Sequence, residues 1–253
     1  MQSRVLAIYT RKCYTQHQNV EDWESGSNKM KNRKQALWIS FAFFILFAAF
    51  TAVVMTVDVQ PIGPQGTSVG LASINGAYAK TIGYRDGWYQ LSQTTGLFSL
   101  LTAAAFALWT LGQMIRRKGI LHAEKRLLLL MAFYVLVGAL YVLFNHVVIN
   151  YRPVILEEGL EPSYPSSHTL LALFVMGTAI FQFCARFTDR RALRIATVGP
   201  CAMLLALTVV GRMLSGVHWL TDIFGSFLLS GALVFLYLGM LSPKTQNGRD
   251  GTA

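Results

Sequence analysis

The chain has 253 residues, 53% of them apolar and only 13% charged, with a mean hydropathy of +0.43. Soluble domains carry about 25% charged residues, so this composition points away from a soluble globular protein and toward a membrane protein. The net charge of +10 falls between apolar runs instead of on one polar face, which argues against nucleic acid as a partner.

Residues 1–34 are polar and basic and lack apolar periodicity, the pattern of a flexible tail. Six apolar runs follow, at 35–57, 94–115, 127–149, 168–185, 195–214 and 219–241. Each is close to the roughly 20 residues that a helix needs to cross a bilayer. The expected fold is therefore all-α and polytopic, with six transmembrane helices over residues 35–241 and a second tail over 242–253. The first run is too long for the apolar core of a signal peptide and five more spans follow it, so it is expected to be retained.

Basic residues set the orientation. Eighteen of the 22 lysines and arginines fall in the N-terminal tail, the second-to-third connection, the fourth-to-fifth connection and the C-terminal tail. The opposite side holds only Lys80, Arg85, Arg152 and Arg212. Both termini are expected to be cytoplasmic, and the three alternate connections to face outward. The longest of these, 58–93, carries Pro61, Gly63, Pro64 and Gly66, then runs to Trp88-Tyr89. A short helix lying on the outer leaflet is expected at 68–82. Cys13, Cys184 and Cys201 have neither paired nor metal-type spacing and read as small core residues.

Chemistry concentrates on the outward side. Arg152 is expected to end the third span and Arg212 the fifth, and an ionisable group near hydrocarbon is usually kept for a function or a partner. Pro165-Ser166-Ser167-His168 opens the fourth span. There a serine can cap the helix, and the free N–H groups of the helix start suit an anion. A capped helix with an interfacial histidine is the plainer alternative. His218 and Asp222 stand at i and i+4 at the start of the sixth span, so a carboxylate can hold one ring nitrogen and leave the other as nucleophile or base. The same pair also suits a structural tie or Zn²⁺ ligation. The two arginines favour an anion over a cation.

In this order the residues resemble the signature of the type-2 phosphatidic acid phosphatase superfamily, which includes lipid phosphate and undecaprenyl pyrophosphate phosphatases. That signature is Lys, six residues, Arg-Pro; then Pro-Ser-Gly-His; then Ser-Arg, five residues, His, three residues, Asp. The chain has Arg152-Pro153, then Pro165-Ser166-Ser167-His168, then Gly211-Arg212 followed by His218 and Asp222 at the same spacing. The resemblance covers about residues 127–241, and the first two spans fit by topology alone. Asn145 stands where the first-motif lysine is expected, with His146 beside it; Ser167 replaces the glycine and Gly211 the serine.

The resemblance implies that His218 attacks phosphorus and forms a phosphohistidine while Asp222 orients its ring. It implies that His168 protonates the leaving oxygen and then activates water. Arg152, Arg212, Ser166 and Ser167 would hold the phosphate, with no cofactor or metal. The expected function is removal of phosphate from a lipid monoester or diphosphate at the outer leaflet of a bacterial plasma membrane. Two alternatives share the site: transfer of the phosphoryl or head group to another acceptor, and lipid-phosphate binding or transport weakened by loss of the lysine. A small polar substrate such as a sugar phosphate or pyrophosphate is a further alternative.

Overall fold

Long apolar runs become helices because a helix satisfies every backbone N–H and C=O internally, the requirement for crossing hydrocarbon. The computed structural model describes residues 33–120, 123–156 and 159–241. It contains helices α1 (Arg33–Thr56), α2 (Ala72–Ile82), α3 (Asp86–Arg116), α4 (Lys125–His146), α5 (Ser167–Arg186), α6 (Arg191–Ser215) and α7 (Leu220–Met240). All but α2 are long and apolar enough to span a membrane. Cys13 and the expected tails lie outside the described residues, except 33 and 34, which open α1.

Two helices form the centre. About half of the apolar window is buried in α5 (50%) and α7 (56%), against 11% in α1 and 17% in α3 and α6. α5 packs on α6 and α7, and α6 packs on α3. α7 can approach its neighbours closely because serines line it. Ser226 Oγ donates to the Ser166 carbonyl at 2.9 Å, and the Ser40 hydroxyl of α1 donates to the Ala232 carbonyl at 2.8 Å. Small side chains and interhelical hydrogen bonds are the usual substitute for hydrophobic drive between membrane helices. The outer faces of α1, α3, α4 and α6 expose Trp38, Leu108, Val135 and Ile195, a surface suited to lipid. The chain is an integral membrane protein of all-helical architecture.

Three differences from the boundaries read in the sequence bear on the site. α3 starts at Asp86, not 94, because Asp86–Gln93 is too polar for a hydropathy window but contains nothing that breaks a helix. The short helix expected at 68–82 is Ala72–Ile82. Arg152 does not end the third span: α4 stops at His146, and Arg152 lies in an extended segment beyond it, where Tyr151 bridges antiparallel to Pro162.

Candidate active site

One end of the bundle gathers the polar side chains. α6 ends at Gly216, whose φ of +70° makes a left-handed cap. A Cβ there would lie 2.0 Å from the Gly83 carbonyl oxygen, so only glycine lets the α6–α7 turn seat against the α2–α3 connection. His218 follows in that turn, before the N-cap Trp219 of α7. It is therefore not on a helix, and its meeting with Asp222 is not the helical i,i+4 contact the spacing suggests. Instead, Asp222 reaches back from the first turn of α7. Its Oδ2 accepts from the Trp219 N–H at 2.9 Å and lies 3.4 Å from His218 Nδ1.

Ser163, which the sequence reading passed over, completes this contact. Its hydroxyl donates to Asp222 Oδ2 and lies 3.1 Å from His218 Nδ1. A hydroxyl has one proton, so the hydrogen bond to His218 requires that Nδ1 carry the proton and donate it. The Nε2 nitrogen then presents its lone pair. It is buried and has no hydrogen-bond partner in the protein. His218 is only 2% exposed, and burial, reinforced by the charges of Arg152 and Arg212, pushes its pKa well below the usual 6.5. The ring is neutral, oriented and open at one nitrogen.

Arg212 lies wholly inside. Its Nη2 donates to Gln93 Oε1, its guanidinium sits 5.4 Å from the centroid of the Tyr89 ring, and its Nε and Nη1 have no hydrogen-bond partner. A buried guanidinium with two unpartnered nitrogens and no carboxylate against it is costly unless an anion completes it. Both α3 partners come from the eight residues that the hydropathy window cut away. Gly211 explains how α3 comes so near: a Cβ there would lie 2.9 Å from Ser92 Cβ. Serine at the third-motif position would collide with α3, which accounts for that departure.

The remaining predicted residues converge on the same end. His168 is the second residue of α5; its ring edge lies over Gly96, its Nδ1 is unpartnered, and it lies within electrostatic reach of Arg212, His218 and Arg152. Ser166 occupies the N-cap of α5 but makes no side-chain cap, contrary to expectation. Its hydroxyl pairs with Thr169 Oγ1 at 3.0 Å, and its N–H donates to the Asp222 carbonyl at 3.2 Å. Ser167 lines a cleft with Asn145, Tyr141, Ser163, Leu170 and His218. Asn145 thus stands at the cleft, whereas His146 is exposed and bonds the Val142 carbonyl of its own helix at 2.8 Å. Lys80 is exposed on α2.

The connection over 58–93 has a structural job that its sequence did not reveal. Asn75 of α2 is fully buried; its Nδ2 donates to Thr221 Oγ1 at 3.0 Å and its Oδ1 accepts from the Thr221 N–H at 3.3 Å. The Arg85 N–H donates to the Ser215 carbonyl at 3.0 Å, and the Tyr78 hydroxyl to the Met213 carbonyl. These bonds brace the turn carrying His218 from both sides.

Comparison with known proteins bears on family and fold. Residues 146–246 match the family model of the PAP2 superfamily. Over that stretch the chain is similar to the PAP2 superfamily. Over 79% of its length it also shares the fold of a transmembrane PAP2-type phosphatidylglycerolphosphate phosphatase from Bacillus subtilis, at 21% identity and a TM-score of 0.53, covering 94% of that chain. A comparison with curated proteins found no match. The matched stretch contains Arg152, His168, Arg212, His218 and Asp222.

Ser163 gives a direct check on the His218 arrangement. Ser163→Ala removes the hydroxyl between His218 and Asp222 and should lower kcat about tenfold, the worth of one buried hydrogen bond at about 1.4 kcal/mol. KM should change little. Steady-state hydrolysis of a lipid phosphate measures both; an unchanged kcat would mean Asp222 alone holds the ring.

Proposed function

We propose that this protein is a PAP2-type phosphatase that hydrolyses the phosphate of a lipid, a monoester or a diphosphate, at the outer leaflet, through a phosphohistidine on His218. The observation that carries this reading is the neutral, buried His218, tied at its Nδ1 edge and open at Nε2, beside an Arg212 with unpartnered N–H groups. His218 Nε2 attacks phosphorus, the bond to the lipid oxygen breaks, and its electron pair leaves on that oxygen, which takes the proton that His168 holds once the negative charge of the bound phosphate favours its imidazolium form. His168 then accepts a proton from water; the hydroxide attacks phosphorus, and the P–N bond breaks to return its electrons to His218. Asp222 and Ser163 keep the ring oriented while it gains positive charge. Arg152, Arg212, the Ser166 and Ser167 hydroxyls and the α5 N-terminus serve the phosphoryl oxygens, so that positioning and charge lower the barrier.

The phosphatase domain is assigned to 35–241, with its motif-bearing core at 127–241. The distribution of lysine and arginine supports cytoplasmic termini and an extracytoplasmic site, and the compact loops suit a bacterial plasma membrane. A lipid substrate suits a site at the end of lipid-facing helices. The similar Bacillus subtilis protein is a phosphatidylglycerolphosphate phosphatase, which makes that lipid a natural first substrate beside phosphatidic acid and polyprenyl pyrophosphate.

Phosphate release from these three lipids in detergent tests the proposal. At least one should be hydrolysed, with equal rates before and after EDTA, because two guanidiniums next to His218 disfavour a divalent cation. Failure to release phosphate from any lipid would reject the reading. Loss of activity in EDTA would instead favour metal ligation by His218 and Asp222. Transfer to added alcohols in place of phosphate release would favour the phosphotransferase alternative.

A further inference from the structure

Arg152 is not open to a phosphate in the way Arg212 is. Its Nη1 is 2.9 Å from Glu161 Oε2, and the two side chains are 14% and 36% exposed. Ordinary surface ion pairs are loose, but this one is held by the backbone. The Arg152 N–H donates to the Glu161 carbonyl at 3.0 Å and the Ser163 N–H to the Asn150 carbonyl at 2.9 Å, with Tyr151 bridged to Pro162 between them. Trp219 Nε1 donates to the Tyr151 carbonyl at 2.6 Å, which fastens this ladder to the residue following His218. Glu161 therefore faces Arg152 in a fixed register, two residues from the serine that orients His218. It is also within electrostatic reach of Arg212.

Two guanidiniums beside a neutral histidine repel each other when no anion lies between them. A carboxylate relieves that repulsion, and it presents to Arg152 two oxygens much like those of a phosphate. Arg152 Nε stays buried and unpartnered, so the guanidinium keeps a donor beyond the ion pair.

We propose that Glu161 is a specificity-determining residue: a built-in competitor that occupies Arg152 and must be displaced by the incoming phosphate. This rests on the phosphate-site reading given above. Glu161 holds Arg152 in place at the cost of affinity, so anions too weakly charged to displace it are rejected.

The opposite role is a purely orienting one, in which Glu161 aims Arg152 and its loss weakens phosphate binding. Glu161→Gln keeps the shape and removes the charge, and Glu161→Ala removes the side chain. Binding of inorganic phosphate to the full-length detergent-solubilised protein is measured by calorimetry for wild type and both variants, with KM and kcat for a lipid phosphate alongside. The competitor role predicts phosphate Kd and KM lowered about three- to fivefold in both variants, the worth of a partly exposed ion pair, with kcat nearly unchanged. Kd and KM that are unchanged or raised overturn it. The binding arm separates the two readings: if phosphate binds but no lipid phosphate is hydrolysed, the phosphatase reading fails while the role of Glu161 is still decided. If phosphate binds none of the three proteins, both fail.

Discussion

His218→Ala protein should release no phosphate above background from any lipid that the wild type hydrolyses, a loss on the order of 10⁴-fold or more, as for removal of other catalytic nucleophiles. No neighbouring group can stand in. Asp222 is directed to the Trp219 N–H and Ser163, and His168 belongs to a different helix, against Gly96. The same burial makes a second, independent mark. Because the folded pKa of His218 lies below its usual 6.5, its neutral form contributes stability that is complete above about pH 6.5. That stability is lost as pH falls and the unfolded chain takes up the proton first. Wild-type kcat should not fall at pH 6.5 as it would with an exposed histidine, and the alanine variant should lose less stability on acidification. Phosphate release and thermal unfolding from pH 7.5 to 5 check both.

Arg212→Met should separate activity from stability. Deleting a transition-state charge contact costs on the order of 10²- to 10³-fold in kcat, and here the lost group is the arginine whose free N–H groups are already buried in place. Arg152, held by Glu161, should cost less when removed. A buried guanidinium without a carboxylate partner is itself destabilising, and replacing a buried charge by an apolar side chain of similar volume is often stabilising. The variant should therefore melt a few degrees higher while losing activity, the pattern of a site strained for function. A lower melting temperature would show that Gln93 and Tyr89 compensate the charge fully.

The spans and the order of the motifs could be read directly, because hydropathy and charge asymmetry report on hydrocarbon and on little else. The residues brought together at one end of the bundle were also legible as a set. What escaped were contacts made across long stretches of sequence by common residue types. Gln93 and Tyr89 fell in a polar turn that hydropathy trimmed from α3. Ser163 and Asn75 act by hydrogen bonds to groups 55 and 146 residues away, a pairing that no local pattern encodes. Arg152 and His218 were placed on helices by spacing, but Arg152 lies in an extended segment and His218 in a turn; the tie between His218 and Asp222 comes from a side chain reaching back over a helix start. Gly211 shows the reverse case, in which an odd residue in a motif has its explanation in a neighbouring helix.

The central claim is that His218 carries the phosphoryl group. Rapid quenching of a reaction with radiolabelled lipid phosphate should trap a protein-bound label that is stable to alkali, labile to acid, located on His218 by peptide mapping and absent from His218→Ala. Turnover without any such label, or the same label on the alanine variant, would contradict it.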